Sequence, residues 1–126
     1  MGRPIQLGDA KFDRGVMMRL RKDFNDMRTD GTKFVGRRML LVTAPSPDGK
    51  PRFGVICGRK FSRKAVERNR ARRLLKESYR LLANAVEPAR CLFITRFAMK
   101  GAKLQDVQRE MILLLRKADL WRRDGD

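Results

Sequence analysis

The chain is 126 residues long, 42% hydrophobic and 36% charged, and its 31 Lys and Arg against 14 Asp and Glu leave a net charge of +17. That length suggests one domain able to bury roughly two thirds of its unfolded surface, and the apolar content excludes a disordered basic tail. So large a positive surplus repels itself unless a polyanion or salt screens it, which makes a nucleic acid the implied partner.

Residues 1–16 are rich in Gly and charge without period and read as a flexible basic arm, with Phe12 within it. A folded domain is predicted over 17–121, and 122–126 form a short tail. Met17, Leu20, Phe24 and Met27 recur at helical spacing and predict a first helix over 17–27, ended by Thr29-Asp30-Gly31. Strands are predicted over 32–35 and 38–44, around Gly36. Pro45-Ser46-Pro47-Asp48-Gly49 supplies turn chemistry before a third strand over 53–58. Ser62 can cap a long helix reaching about Asn84, which Val86-Glu87-Pro88 stops. A fourth, buried strand over 90–97 places Phe93 and Phe97 in the core. A last helix over 104–120 carries Leu104, Val107, Met111, Leu114 and Leu115 at core spacing.

The order α-β-β-β-α-β-α describes a single-domain α/β (α+β) sandwich whose third and fourth strands are parallel, joined by the long helix. Cys57 and Cys91 lie inside apolar runs and read as small core residues. With no histidine and no clustered thiols, a transition-metal site is disfavoured. The longest apolar runs fall far short of a membrane span and no apolar segment follows the N-terminus, so a cytoplasmic chain without membrane contact is expected.

The long helix carries the chemistry. At about 100° per residue, Arg68, Asn69, Arg72, Arg73, Lys76 and Arg80 fall on one side, while Ala71, Leu74, Leu75, Ser78, Leu81 and Leu82 fall opposite. Glu67 and Glu77 are the only acids between Gly58 and Val86, so the positive face is scarcely neutralised. Arg68, Arg72 and Arg73 suit forked hydrogen bonds to phosphates, and Asn69 can both donate and accept. Lys60, Arg63 and Lys64 extend the footprint to the strand-to-helix junction. All three arginines point away from the apolar stripe, so their removal is expected to leave the fold intact.

The string Arg59-Lys60-Phe61-Ser62-Arg63-Lys64-Ala65-Val66-Glu67-Arg68-Asn69-Arg70-Ala71-Arg72-Arg73-Leu74-Leu75-Lys76-Glu77-Ser78-Tyr79-Arg80 resembles the signature of the bacterial ribonuclease P protein component. Leu20-Arg21-Lys22-Asp23-Phe24, Leu92-Phe93-Ile94-Thr95-Arg96 and Leu113-Leu114-Leu115 extend the likeness over roughly 17–120. The family usually has Lys where Arg72 stands and a Lys pair where Arg59-Lys60 stands; both changes keep the charge.

The resemblance implies a protein cofactor to a catalytic RNA that cuts the 5′ leader from precursor tRNA. It implies one protein per RNA, hydrolysis by the RNA with bound magnesium, and support of activity at low magnesium. It also implies a left-handed β-α-β crossover, as in the ribosomal protein S5 domain 2-like fold, against the general right-handed preference. RNA contact then falls to Arg59, Lys60, Arg63, Lys64, Arg68, Asn69, Arg72, Arg73 and Lys76, with Asn69 able to meet hydrated magnesium. Phe24 and, more weakly, Phe53 become candidates to stack on leader nucleotides, since stacking tolerates any base. The protein itself is not expected to catalyse: it has no histidine to titrate near neutrality, and Asp23 with Asp26 is a thin carboxylate set for a metal nuclease. The competing reading is a basic RNA-binding protein, such as a ribosomal protein or RNA chaperone, without a processing role. A helix-turn-helix DNA-binding protein fits less well, because strands surround the basic helix.

Overall fold

The computed structural model describes residues 21–122, with side chains throughout that range except at 21–24 and 28. Its elements are α1 (Arg21–Asp30), β1 (Thr32–Val35), β2 (Met39–Ala44), β3 (Arg52–Ile56), α2 (Ala65–Leu82), β4 (Arg90–Thr95) and α3 (Leu104–Lys117), with 3-10 turns at Ala83–Ala85 and Phe97–Met99. The order is the predicted one. The helix start at Met17, the basic arm and the tail beyond Arg122 lie outside the described residues.

One sheet in the order β1-β2-β4-β3 holds the domain together. β4 pairs antiparallel with β2, from Met39 opposite Thr95 to Ala44 opposite Arg90, and parallel with β3, from Arg52 opposite Arg90 to Ile56 opposite Ile94. The turn after β2 therefore carries the chain past the place that β4 fills. Asp48 organises that turn: its carboxylate accepts from the Ser46 hydroxyl at 2.9 Å, the Lys50 amide at 3.1 Å and the Arg52 guanidinium at 2.7 Å.

Alternation along the strands divides the core in two. Met39, Leu41, Phe53, Cys91 and Phe93 form one cluster with Ala71, Leu75 and Tyr79 of α2 and Val107, Met111, Leu114 and Leu115 of α3. Val42, Ala44 and Leu92 face the other way and meet Met27 of α1. Cys57 and Cys91 are both buried free thiols, and burial pushes the Cys91 thiol up to about 12.

At the β1–β2 hairpin, Glu110 of α3 is buried but satisfied, accepting from the Arg38 and Met39 amides at 2.7 and 3.2 Å and from the Arg38 guanidinium at 3.1 Å. Gly36 makes room for it, since a Cβ there would stand 2.4 Å from the carboxylate. Helix ends differ from the sequence reading by a few residues. α3 stops at Lys117 because Asp119 turns to a φ of 61°, and the Asp119 and Leu120 amides then donate to Arg116 and Leu115 carbonyls in a Schellman closure. α2 gives way after Leu82 to one 3-10 turn before Pro88.

Phe97 is a correction: β4 ends at Thr95 and the ring is 73% exposed, outside the core. Phe53 is another. Its ring is 0% exposed, stacked on Tyr79 at 4.6 Å and 5.8 Å from Phe93, on the sheet face opposite α1. Phe53→Ala is expected to cost about 3–5 kcal/mol of stability, as large aromatic truncations in cores do. Chemical denaturation measures this, and a loss of less than about 1 kcal/mol would contradict the placement.

Candidate nucleic-acid interface

The candidate interface consists of the loop from β3 to α2 and the outward face of α2. The Gly58 carbonyl accepts from the Phe61 and Ser62 amides at 3.0 and 3.4 Å, folding the loop back on itself. Ser62 is buried, accepts from the Lys64 amide at 3.0 Å and donates to Glu67. It is therefore not the N-cap, which is Lys64 with extended dihedrals and no side-chain cap; the Ser62 hydroxyl acts two residues early, in a turn that leads into the helix.

Two arginines of the stripe strap this loop down. Arg68 is half-buried and donates to the Ser62 carbonyl at 3.0 Å, and Arg72 donates to the Cys57 carbonyl at 2.9 Å. The expectation that Arg68, Arg72 and Arg73 could all be removed without structural cost is corrected on this point, because each strap satisfies a backbone acceptor. Arg72 also donates to the Asn69 side-chain oxygen at 3.1 Å, and Asn69 itself is exposed. Arg73 and Lys76 are exposed.

The predicted residues fall into two groups. Arg59, Lys60 and Arg63 line one open depression at the loop, with Lys64 exposed beside them. Arg73 and Lys76 line a groove shared with Arg70, Leu74, Glu77 and Arg80 and closed on its far side by Leu104 of α3. Leu74 thus belongs to the groove as much as to the core. Arg70 was not predicted as a site residue, yet it donates to the Ala102 carbonyl at 2.7 Å and joins α2 to the start of α3. Its spacing of three from Arg73 was the available signal.

Both acids of the segment are engaged. Glu77 pairs with Arg80 one turn on, and that hydrogen bond holds its carboxyl below the ordinary range. Glu67 lies within 3.9 Å of the Lys100 ammonium. Among the described residues, no group of three or more His, Cys, Asp or Glu could hold a metal ion. Asn69 stands beside Arg72 with its oxygen already in use, a donor set that repels a bare divalent cation and does not fit a magnesium site of the protein's own. Asp26, half of the thin carboxylate pair, instead approaches buried Arg90 at 3.6 Å.

The backbone of Phe24 lies in α1, and its ring is outside the described side chains. Phe53 faces away from α1, so by alternation Arg52, Gly54 and Ile56 are the β3 residues on the α1 side, beside Leu92 and Ile94 of β4. Sequence reasoning missed these because it followed the aromatic residue and not the parity of the strand.

A family model described as Ribonuclease P matches residues 12–119. The chain belongs to the ribonuclease P protein family. A ribonuclease P protein component from Herpetosiphon aurantiacus is 31% identical over 111 residues, covering 87% of this chain and 89% of the relative. One from a Synechococcus strain is 34% identical over 108 residues, covering 82% and 81%. The fold is that of solved ribonuclease P proteins: one from Staphylococcus aureus superposes with a TM-score of 0.79 at 19% identity over 86% of this chain and 92% of that one. One from Thermotoga maritima gives 0.71 at 23% identity over 79% and 96%.

Within this family member the loop strap has a pH signature. The Ser62 hydrogen bond, with help from Lys100 and Lys64, holds the Glu67 carboxyl below its ordinary value of 4.5. A lowered folded value means the carboxylate's contribution to stability is present above 4.5 and disappears as pH falls through the folded value. Glu67→Gln should therefore melt below wild type at neutral pH and converge with it in acid. A gap in melting temperature that stays constant across pH would refute the strap.

Proposed function

We propose that this chain is the protein subunit of the ribonuclease P ribonucleoprotein, which removes the 5′ leader from precursor tRNA. The RNA subunit performs the hydrolysis and holds the magnesium ions that it requires; this chain binds that RNA and the leader. The observation that carries the reading is the outward face of α2, where exposed Arg72, Arg73 and Lys76 stand in one row while Glu67 and Glu77 are tied to other groups. Family membership supports the same reading, since the relatives are named as protein components.

Each group has a role at a stated atom. The guanidinium of Arg73 and the ammonium of Lys76 donate to phosphate oxygens, while Arg59, Lys60, Arg63 and Lys64 continue the row around the helix start. The amide nitrogen of exposed Asn69, whose oxygen Arg72 occupies, donates to a phosphate or a 2′-hydroxyl, or meets water bound to magnesium that the RNA holds. The single-stranded leader lies between α1 and the sheet face of Ile56 and Ile94, where Phe24 stacks on it. One protein binds one RNA in the cytoplasm; no helix among the described residues is long and apolar enough to cross a membrane.

Reconstitution tests the reading. With a bacterial ribonuclease P RNA at limiting magnesium, the protein should stimulate correctly placed cleavage of precursor tRNA, and alone it should cleave nothing. Phe24→Leu should weaken binding of leader-bearing precursor more than of mature tRNA. Accurate cleavage without RNA, or no stimulation with it, would refute the assignment; equal weakening of both substrates would remove Phe24 from the leader.

Salt dependence tests the face. Arg63 and Arg73 are exposed at the loop and on the helix, so changing both to Ala should flatten the slope of log affinity against log salt by about 1.5 units, from roughly 0.7–0.9 per phosphate contact. Lys33 and Lys50, exposed on β1 and in the β2–β3 turn, form a charge-matched control that should change it much less. Equal changes would reduce α2 to general charge.

A further inference from the structure

Beyond the basic row lies an aromatic residue that the function has not absorbed. Phe97 opens the 3-10 turn after β4, and that turn is rigidly mounted. Arg96 fixes its start, its amide donating to the Arg38 carbonyl at 2.9 Å and its guanidinium to the Gly36 carbonyl at 2.7 Å. Met99, fully buried, anchors the middle, and the Met99, Lys100 and Ala102 amides donate back to Arg96, Phe97 and Met99 at 2.9–3.1 Å. The Phe97 ring is thereby held out in solvent at 73% exposure.

A lone exposed aromatic is ordinary on a protein surface. This one is not alone. Side chains three apart eclipse in a 3-10 turn, and the Lys100 ammonium sits 4.5 Å from the centre of the Phe97 ring. The same ammonium is 5.8 Å from the centre of the Phe61 ring and 3.9 Å from Glu67, so the turn adjoins the β3–α2 loop, where Arg59, Lys60 and Arg63 line their depression. With a cation over one face of a ring so exposed, the opposite face is open. Cations for phosphates beside an open aromatic face for a base are the two parts of a single-strand site.

We propose that Phe97, backed by Lys100, is a stacking platform for an unpaired nucleotide of the RNA that lies along α2, outside the leader cleft. The inference rests on the reading that α2 carries that RNA. The cationic surroundings select RNA over an acidic or apolar protein segment, because an aromatic face gives a protein no advantage that a base lacks and the net charge of +17 draws the longer polyanion. Lys100 would then meet the phosphate of the stacked nucleotide.

The test compares Phe97→Ala, Phe97→Trp and wild type for affinity to a ribonuclease P RNA, with Leu113→Ala, another exposed apolar position on α3, as control. Phe97→Ala should weaken binding about 5-fold or more, as loss of one stacked base does, with unchanged melting temperature. The salt slope should hold, because a ring releases no counterion, and Phe97→Trp should restore affinity. Affinity within about twofold of wild type for Phe97→Ala, a loss matched by Leu113→Ala, or no recovery with Trp overturns the platform. If wild type binds this RNA no better than an unrelated RNA of equal length, the functional reading fails instead, and the same variants on the unrelated RNA decide the platform by the same criteria.

Discussion

The stacking of Tyr79 on Phe53 is the contact on which the rest of the molecule depends. It fixes the rotation of α2 about its own axis, because a ring held at 4.6 Å on the sheet admits little turn in the helix that carries it. Leu75 and Ala71 lie on the same buried side, one and two turns earlier, and Phe93 closes the aromatic group from β4. Burial raises the Tyr79 phenol far above its ordinary range, so the ring stays neutral wherever the protein folds. Once that side is fixed, Arg73 and Lys76 can only point outward. The cationic face is thus set by the core contact behind it.

Electrostatics completes what packing begins. A stripe of like charges on one helix raises its own free energy, and an ordinary surface would relieve this with interleaved acids. Here Glu67 is held by Ser62 and Glu77 by Arg80, both at the margins of the row. Arg68 and Arg72 reach backward to carbonyls of the loop, which lowers their mobility without lowering their charge. Arg68 and Arg72 are thereby held in place on a positive face, so a contact made through them would cost less side-chain freedom.

How much of this the sequence discloses depends on the kind of information needed. The element order and the parallel crossover were legible because periods of two and of 3.6 residues alternate cleanly with Gly and Pro punctuation. The outward row was legible from helical spacing. Parity and termination were not: Phe53 and Phe97 are both aromatic residues of strand-like segments, yet one is core and the other solvent-facing. The difference lies in where β4 stops pairing and in which face α2 covers, both long-range facts. The backbone acceptors of Arg68, Arg70 and Arg72 were equally invisible, because a carbonyl has no letter of its own.

The two sides of the sheet are packed by different kinds of contact. The α2–α3 side buries an extensive cluster that runs from Met39 to Leu115. Among the described residues, α1 is held by Met27 against Val42, Ala44 and Leu92, by the approach of Asp26 to Arg90, and by its close passage at Gly31. That passage is exacting: a Cβ on Gly31 would stand 2.4 Å from a Val42 methyl, so any side chain there would lift the helix end from β2. Among the described residues, α1 thus meets the sheet at Met27 and Gly31, while the outward face of α2 is fixed from behind by Tyr79 on Phe53.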